Sequence, residues 1–85
     1  MDYYLLTFLN THAAMAAQKY LDGKISFYVC PTLRELSASC GISLRINNSD
    51  YDRIEDIMKD FPLGRDMYQI YFITKTDIIA MNEKR

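Results

Sequence analysis

The chain has 85 residues, of which 49 % are hydrophobic and 25 % are charged, and its formal net charge at pH 7 is −1. This length predicts a single domain, because two domains would each bury too little surface. The small net charge and the scattered Lys and Arg residues argue against nucleic acid or an anionic membrane as the main partner, since such binding needs a clustered cationic surface.

The cysteine content and the N-terminal segment bear on the compartment of the protein. No apolar run is long enough to cross a bilayer. The apolar residues near the start follow Asp2 instead of a basic segment and break at Asn10, so we interpret them as a strand and not as a signal peptide. Two cysteines allow at most one disulfide, and with one histidine they do not complete a zinc site. We expect a cytoplasmic protein with no metal and no cofactor.

The first predicted elements are a strand and a helix. Residues 3–9 are rich in aromatic and branched side chains, which favours a central strand. Asn10 or Thr11 can cap a helix that runs to about Asp22, and Gly23 supplies its C-terminal stop. The inward side chains of this helix are mostly small, which lets it lie close to a sheet: Ala13, Ala16, Ala17, Tyr20 and Leu21.

Three strands and a second helix are predicted in the rest of the chain. Alternating apolar and polar residues indicate strands over 24–30 and 41–46, each with one buried face. Apolar residues at helical spacing predict a helix over about 50–61, and residues 67–73 predict the last strand. Residues 74–85 are expected to form a tail outside the sheet, with a short helix over 77–81 as one option.

This element order predicts an α+β fold, a ferredoxin-like βαββαβ two-layer sandwich over residues 1–73. Two helices cannot bury their apolar faces alone, so we expect both on one face of a four-stranded antiparallel sheet. Right-handed crossovers then give the strand order 4-1-3-2. In that topology the N-terminus of the first helix, the connection 31–40 and the start of the fourth strand lie at one edge of the sheet. Long connections such as this one are often functional.

The connection 31–40 carries the most distinctive chemical group of the sequence, the thiol of Cys40. Cysteine chemistry uses the thiolate, which cations, helix N-termini and backbone donors stabilise. Arg34 could supply the positive charge, and Gly41 leaves one side of the sulfur open. Nearby hydroxyl groups would come from three residues: Thr11, Ser37 and Ser39.

Each of these residues also has a purely structural interpretation. On spacing alone, Cys40 can also be a small apolar residue that closes the end of the third strand. His12 could accept a proton from Cys40 as a neutral imidazole, or be a solvated residue of the first helical turn. Cys30 is either a strand residue on the helix-free face or the partner of Cys40 in a regulatory disulfide. Arg45 is expected to be a surface charge on the open face of the sheet.

The residues around Cys40 also carry a family resemblance. Residues 31–41, PTLRELSASCG, resemble the signature of a selenium/sulfur carrier-like family of short bacterial proteins. The segment YLLTF at 4–8, the pair Thr11-His12 and residues 41–45 are similar to the same family, so that the likeness covers about residues 3–72. The resemblance implies a role for Cys40. Cys30 stands where an aliphatic residue is expected in relatives.

Taken with the resemblance, the sequence predicts a sulfur or selenium carrier that holds the chalcogen on Cys40. Such a protein is a shuttle and not a complete enzyme, and its partners would be a donor such as a cysteine desulfurase and an acceptor enzyme. A homo-oligomer is compatible with this fold, since such domains can pair through edge strands. Two other functions stay open: a non-catalytic interaction or small-ligand sensing module, and a thiol-redox switch that uses Cys30 and Cys40.

Overall fold

The computed structural model describes residues 2–33, 36 and 41–81. Its helices are α1 (Thr11–Leu21) and α2 (Tyr51–Met58). Its strands are β1 (Tyr3–Phe8), β2 (Tyr28–Pro31), β3 (Ile42–Asn47), β4 (Tyr68–Ile73) and β5 (Ile78–Ala80). Short 3₁₀ turns precede α2 and β4, at Asn48–Asp50 and Arg65–Met67.

The strands form one antiparallel sheet in the order β2-β3-β1-β4-β5. The predicted α+β class, the two helices and the antiparallel sheet are confirmed. The predicted number of four strands is wrong, because a fifth strand pairs along the outer edge of β4. The sheet therefore departs from the four-stranded ferredoxin-like sandwich that the sequence predicts.

The fifth strand comes from the segment that was expected to be a tail. The backbone N–H of Thr74 donates to the carbonyl of Asp77 at 2.9 Å, and the Thr74 hydroxyl accepts from the Asp77 N–H at 2.9 Å. These bonds close a tight turn and direct β5 back along β4. Beyond β5, the N–H of Met81 donates to the carbonyl of Ile70 at 2.7 Å. The helix considered for residues 77–81 is therefore wrong.

The second strand is shorter at its start than the alternating pattern predicts. The N–H groups of Lys24 and Ile25 both donate to the carbonyl of Leu21, and Gly23 has a φ of 84°. The chain is thus still closing the end of α1 where a strand was expected over residues 24–27. Val29, on the apolar side of the alternating pattern, is 53 % exposed, and β2 is an edge strand of the sheet.

The core lies between the two helices and one face of the sheet. The small residues of α1 allow it to lie close to the central strands, and the hydroxyl of Tyr20 donates to the carbonyl of Ile57 at 2.7 Å, which ties α1 to α2. The sheet contributes Leu6, Leu44, Ile46 and Ile70, and the helices contribute Ala13, Ala14, Ala17, Leu21, Ile54 and Met58. All of these residues are almost fully buried.

The other face of the sheet carries no helix from the described part of the chain, but it is not uniformly open. Strand alternation and register place Leu5, Thr7 and Ser43 on this face. All three are buried, and Ser43 is completely so. The prediction of an exposed Arg45 on the same face is confirmed.

Candidate functional site

The strand register brings the predicted site segments to one edge of the sheet. Phe8, at the end of β1, pairs with Tyr68 at the start of β4, and Pro31, at the end of β2, pairs with Ile42 at the start of β3. The helix α1 begins directly after this end of β1. The N-terminus of α1 and both ends of the connection between β2 and β3 therefore share this edge, which we call the loop edge.

At the loop edge, Asn10 caps α1. Its backbone is extended, with φ −152° and ψ 172°, and its side-chain oxygen accepts from the N–H of Ala13 at 2.8 Å. The cap leaves the N–H groups of Thr11 and His12 at the start of the helix, where they have no intrahelical acceptor. Both residues are exposed. Their backbone N–H groups can therefore donate hydrogen bonds to a group that lies against this end of the helix.

The connection between β2 and β3 is anchored at both of its ends. The N–H of Thr32 donates to the carbonyl of Gly41 at 3.1 Å, and the Thr32 hydroxyl lies 2.7 Å from that of the buried Ser43. Gly41 is exposed, and a β-carbon placed there would meet nothing within 4 Å. Among the described glycines, Gly23 and Gly64 have a positive φ and Gly41 does not. Nothing in its own backbone conformation therefore requires glycine at position 41.

Four of the predicted site residues lie within this connection. Arg34, Ser37, Ser39 and Cys40 are outside the described residues. The structure thus brings Thr11, His12 and Gly41 to one edge, and the convergence of the other four on that edge stays a prediction from the sequence.

The second thiol, Cys30, lies on the helix-free face of β2. The residue opposite it on β3 is Ser43. Cys40 lies outside the described residues, so its pairing with Cys30 in a disulfide stays a prediction. Partial burial raises the pKa of the Cys30 thiol, and the positive charge of Arg45 opposes this rise without cancelling it. A smaller fraction of Cys30 than of an exposed cysteine is therefore present as the nucleophilic thiolate.

A cavity on the helix-free face was not predicted from the sequence. It has a volume of about 460 Å³ and is lined by Asp2, Tyr3, Tyr28, Cys30, Arg45 and Asn47. The guanidinium of Arg45 lies over the ring of Tyr3, 4.2 Å from its centroid. Strand alternation alone places Tyr28 and Cys30 on one face, but only the pairing of β2 with β3 sets them beside Arg45.

Two further properties of the described residues concern membranes and metals. None of the helices in this part of the chain combines the length and the apolar character needed to span a bilayer. Within residues 2–33, 36 and 41–81, we find no cluster of three or more His, Cys, Asp or Glu side chains that could hold a metal ion.

Comparison with known proteins gives one match. No curated protein and no solved structure matches the chain. One family model does, and it covers residues 3–81, including β5 and the loop edge. This confirms the family resemblance seen in the sequence and extends it past residue 72. The chain therefore belongs to the family described as "Putative Se/S carrier protein-like".

Proposed function

We propose that this protein carries sulfur or selenium as a persulfide or selenosulfide on Cys40 and passes it between partner enzymes. The observation that carries the proposal is membership of the Se/S carrier protein-like family over residues 3–81, a range that includes Cys40. Of the two cysteines, Cys40 is favoured because it lies in the segment 31–41 that carries the family resemblance, whereas partial burial raises the pKa of the Cys30 thiol.

The described part of the loop edge supports this role in two ways. The connection that carries Cys40 begins and ends at paired positions, Thr32 and Gly41, so its ends are held together beside the sheet. The same edge presents the exposed N-terminus of α1, where the partial positive charge of the helix favours an anion such as a thiolate or a persulfide. In this proposal Arg34 adds a full positive charge, and Thr11, His12, Ser37 and Ser39 provide polar contacts.

The transfer step is an exchange between sulfur atoms. The thiolate of Cys40 attacks the outer sulfur of a persulfide on the donor enzyme and forms a new S–S bond. The bond between the two sulfurs of the donor breaks, and the donor cysteine leaves as a thiolate. No external oxidant or reductant is needed, because one persulfide is consumed and one is formed. Selenium on a donor cysteine would be passed in the same way.

The two other functions considered for the sequence gain no support from the described residues. A redox switch needs two thiols that can approach each other. Of these, Cys30 has a raised pKa, and Cys40 lies outside the described residues. A non-catalytic interaction module needs no reactive thiol at all. The carrier and the module therefore differ in one measurable property, the ability of Cys40 to accept sulfur.

The test is transfer of sulfur from a cysteine desulfurase and L-cysteine, followed by mass spectrometry of the intact protein under non-reducing conditions. We expect the parent protein and the Cys30→Ser variant to gain sulfur and the Cys40→Ser variant to gain none. Circular dichroism of the three proteins controls for folding. If Cys40→Ser is labelled as well as the parent, or if the parent is never labelled by donors of either chalcogen, the proposal is wrong.

A further inference from the structure

The cavity on the helix-free face contains two opposite charges that do not pair. Asp2 and Arg45 both line it, yet they do not approach within the 4.0 Å of an ion pair. Ion pairs between described residues form elsewhere, for example between Arg53 and Asp50 and between Lys59 and Asp56. A carboxylate and a guanidinium thus face the same space, and neither has an ion-pair partner among the described residues.

Two of the polar side chains of the cavity, those of Arg45 and Asn47, contact neighbouring residues. The ring of Tyr3 lies under the guanidinium of Arg45, and this contact leaves the guanidinium N–H groups free to donate hydrogen bonds. The side-chain oxygen of Asn47 accepts from the N–H and the hydroxyl of Ser49, both at 3.2 Å. Because that oxygen is occupied, the amide N–H₂ of Asn47 is the part left to act on a ligand.

From these contacts we infer that the cavity binds a small zwitterion, an α-amino acid with an apolar side chain. Arg45 and the Asn47 amide would hold the carboxylate, since a guanidinium fork matches a carboxylate in geometry and charge. Asp2 would hold the ammonium group. The rings of Tyr3 and Tyr28 form the apolar walls against which the side chain packs.

Charge and size both favour this class of ligand. A simple anion would leave Asp2 opposed to a like charge, and a simple cation would do the same to Arg45. A zwitterion satisfies both groups at once. A volume of about 460 Å³ falls within the range of roughly 300–1,000 Å³ that is usual for small-molecule pockets. Tyr28 is 72 % exposed, so the cavity opens to solvent and a free amino acid can enter it.

The lining of this cavity includes none of the residues assigned to the proposed carrier site. It lies towards the start of β1 and the end of β3, whereas Gly41 and the N-terminus of α1 lie at the loop edge. The inference therefore goes beyond the proposed function and does not depend on it. Cys30 lines the cavity, so its thiol can report on occupancy when Cys40 is replaced by serine.

The test is a nuclear magnetic resonance titration of the full chain, carrying Cys40→Ser, with L-phenylalanine and with L-leucine. We expect saturable shifts in the backbone amides of Tyr28, Arg45 and Asn47, and slower alkylation of Cys30 when either amino acid is bound. The analogues 3-phenylpropionate and phenethylamine, which each lack one charge of phenylalanine, should bind at least about tenfold more weakly, because each leaves a charged group unpaired.

Three variants complete the experiment. Arg45→Met and Asp2→Asn should each weaken binding by about tenfold or more, and both residues are exposed, so the fold should persist. Lys59→Gln, on the exposed surface of the turn after α2, is the matched control and should bind as the parent does. The inference is overturned if neither amino acid gives saturable shifts, if either analogue binds as tightly as phenylalanine, or if Arg45→Met and Asp2→Asn bind normally.

Discussion

At the scale of single residues, the half-buried Cys30 thiol provides a test of local electrostatics. Burial raises its pKa and Arg45 partly opposes the rise, so a smaller fraction is ionised at neutral pH than in an exposed cysteine. We predict that Cys30 is alkylated more slowly than a free cysteine and that its pH profile is displaced upward. Arg45→Met should displace it further, because the variant removes the opposing cation.

The measurement is the rate of alkylation against pH in a Cys40→Ser background, with a short unstructured cysteine peptide as the reference. A midpoint at or below that of the peptide would contradict the burial of this thiol. An unchanged profile in Arg45→Met would show that the charge of Arg45 does not reach the sulfur.

Arg34 is the residue on which the electrostatic part of the carrier proposal depends. A cation within roughly 4–6 Å of a thiol favours the thiolate, and water weakens the effect. We predict that Arg34→Ala slows the alkylation of Cys40 several-fold at neutral pH in a Cys30→Ser background. Arg34→Lys should recover part of the rate, since it keeps the charge but loses the planar fork of donors.

The control for Arg34 is Arg45→Ala, which removes an equal charge on the helix-free face and should leave Cys40 unaffected. Equal rates for Arg34→Ala and the parent would exclude Arg34 from the site. The N-terminus of α1 and the backbone N–H groups of the connection would then be the remaining stabilisers of the thiolate.

At the scale of elements, the cap of α1 links stability to the loop edge. Asn10 accepts from the N–H of Ala13 through its side chain, which alanine cannot do. We predict that Asn10→Ala lowers the free energy of unfolding by about 1 kcal/mol, whereas Asn10→Ser, another good capping residue, loses less. Chemical denaturation followed by circular dichroism measures both. An unchanged free energy of unfolding for Asn10→Ala would show that the side-chain cap contributes nothing.

The fifth strand makes the C-terminal segment part of the sheet. Removal of residues 74–85 would expose the edge of β4, and it would break the bond from the Met81 N–H to Ile70 and the packing of Met81 on the core. We predict a lower melting temperature for this truncation than for one that ends after Met81, which keeps β5 and should melt near the parent. The same melting temperature for the two truncations would show that β5 adds no stability.

Short-range patterns in the sequence predicted those elements whose packing agrees with local preference. The cap at Asn10, the small-residue helix α1 and the alternating strand β3 are of this kind. The pattern failed at β2, because the hydrogen bonds that close α1 through Leu21 take residues 24 and 25 away from the strand. It failed again at residues 78–80, since pairing with β4 outweighs the short helical pattern.

At the scale of the whole molecule, topology decided how much of the candidate site could be foreseen. The loop edge was predictable because antiparallel pairing of β1 with β4 and of β2 with β3 fixes which strand ends meet. The cavity lined by Arg45 and Asp2 could not be predicted from the sequence. It depends on the register between β2 and β3 and on the contact of Arg45 with the ring of Tyr3. Register of this kind is set by long-range contacts that one strand does not reveal.

The last prediction concerns the core, which both helices and the central strands share. Leu6 is fully buried on β1, the strand that pairs with β3 and β4, whereas Leu9 directly after β1 is 53 % exposed. We predict that Leu6→Ala lowers the free energy of unfolding by about 2–5 kcal/mol, through lost burial and a residual cavity. Leu9→Ala, the same chemical change at the surface, should cost less than about 0.5 kcal/mol.

The total stability of a small domain is only about 5–15 kcal/mol, so Leu6→Ala should lower the urea midpoint substantially. If residues 2–81 unfold as one cooperative unit, the dependence of the free energy on urea stays the same in both variants, because the surface exposed on unfolding does not change. Fluorescence of the tyrosines and circular dichroism should then give coincident transitions. Two separate transitions, or a loss for Leu6→Ala no larger than that for Leu9→Ala, would contradict a single core centred on β1.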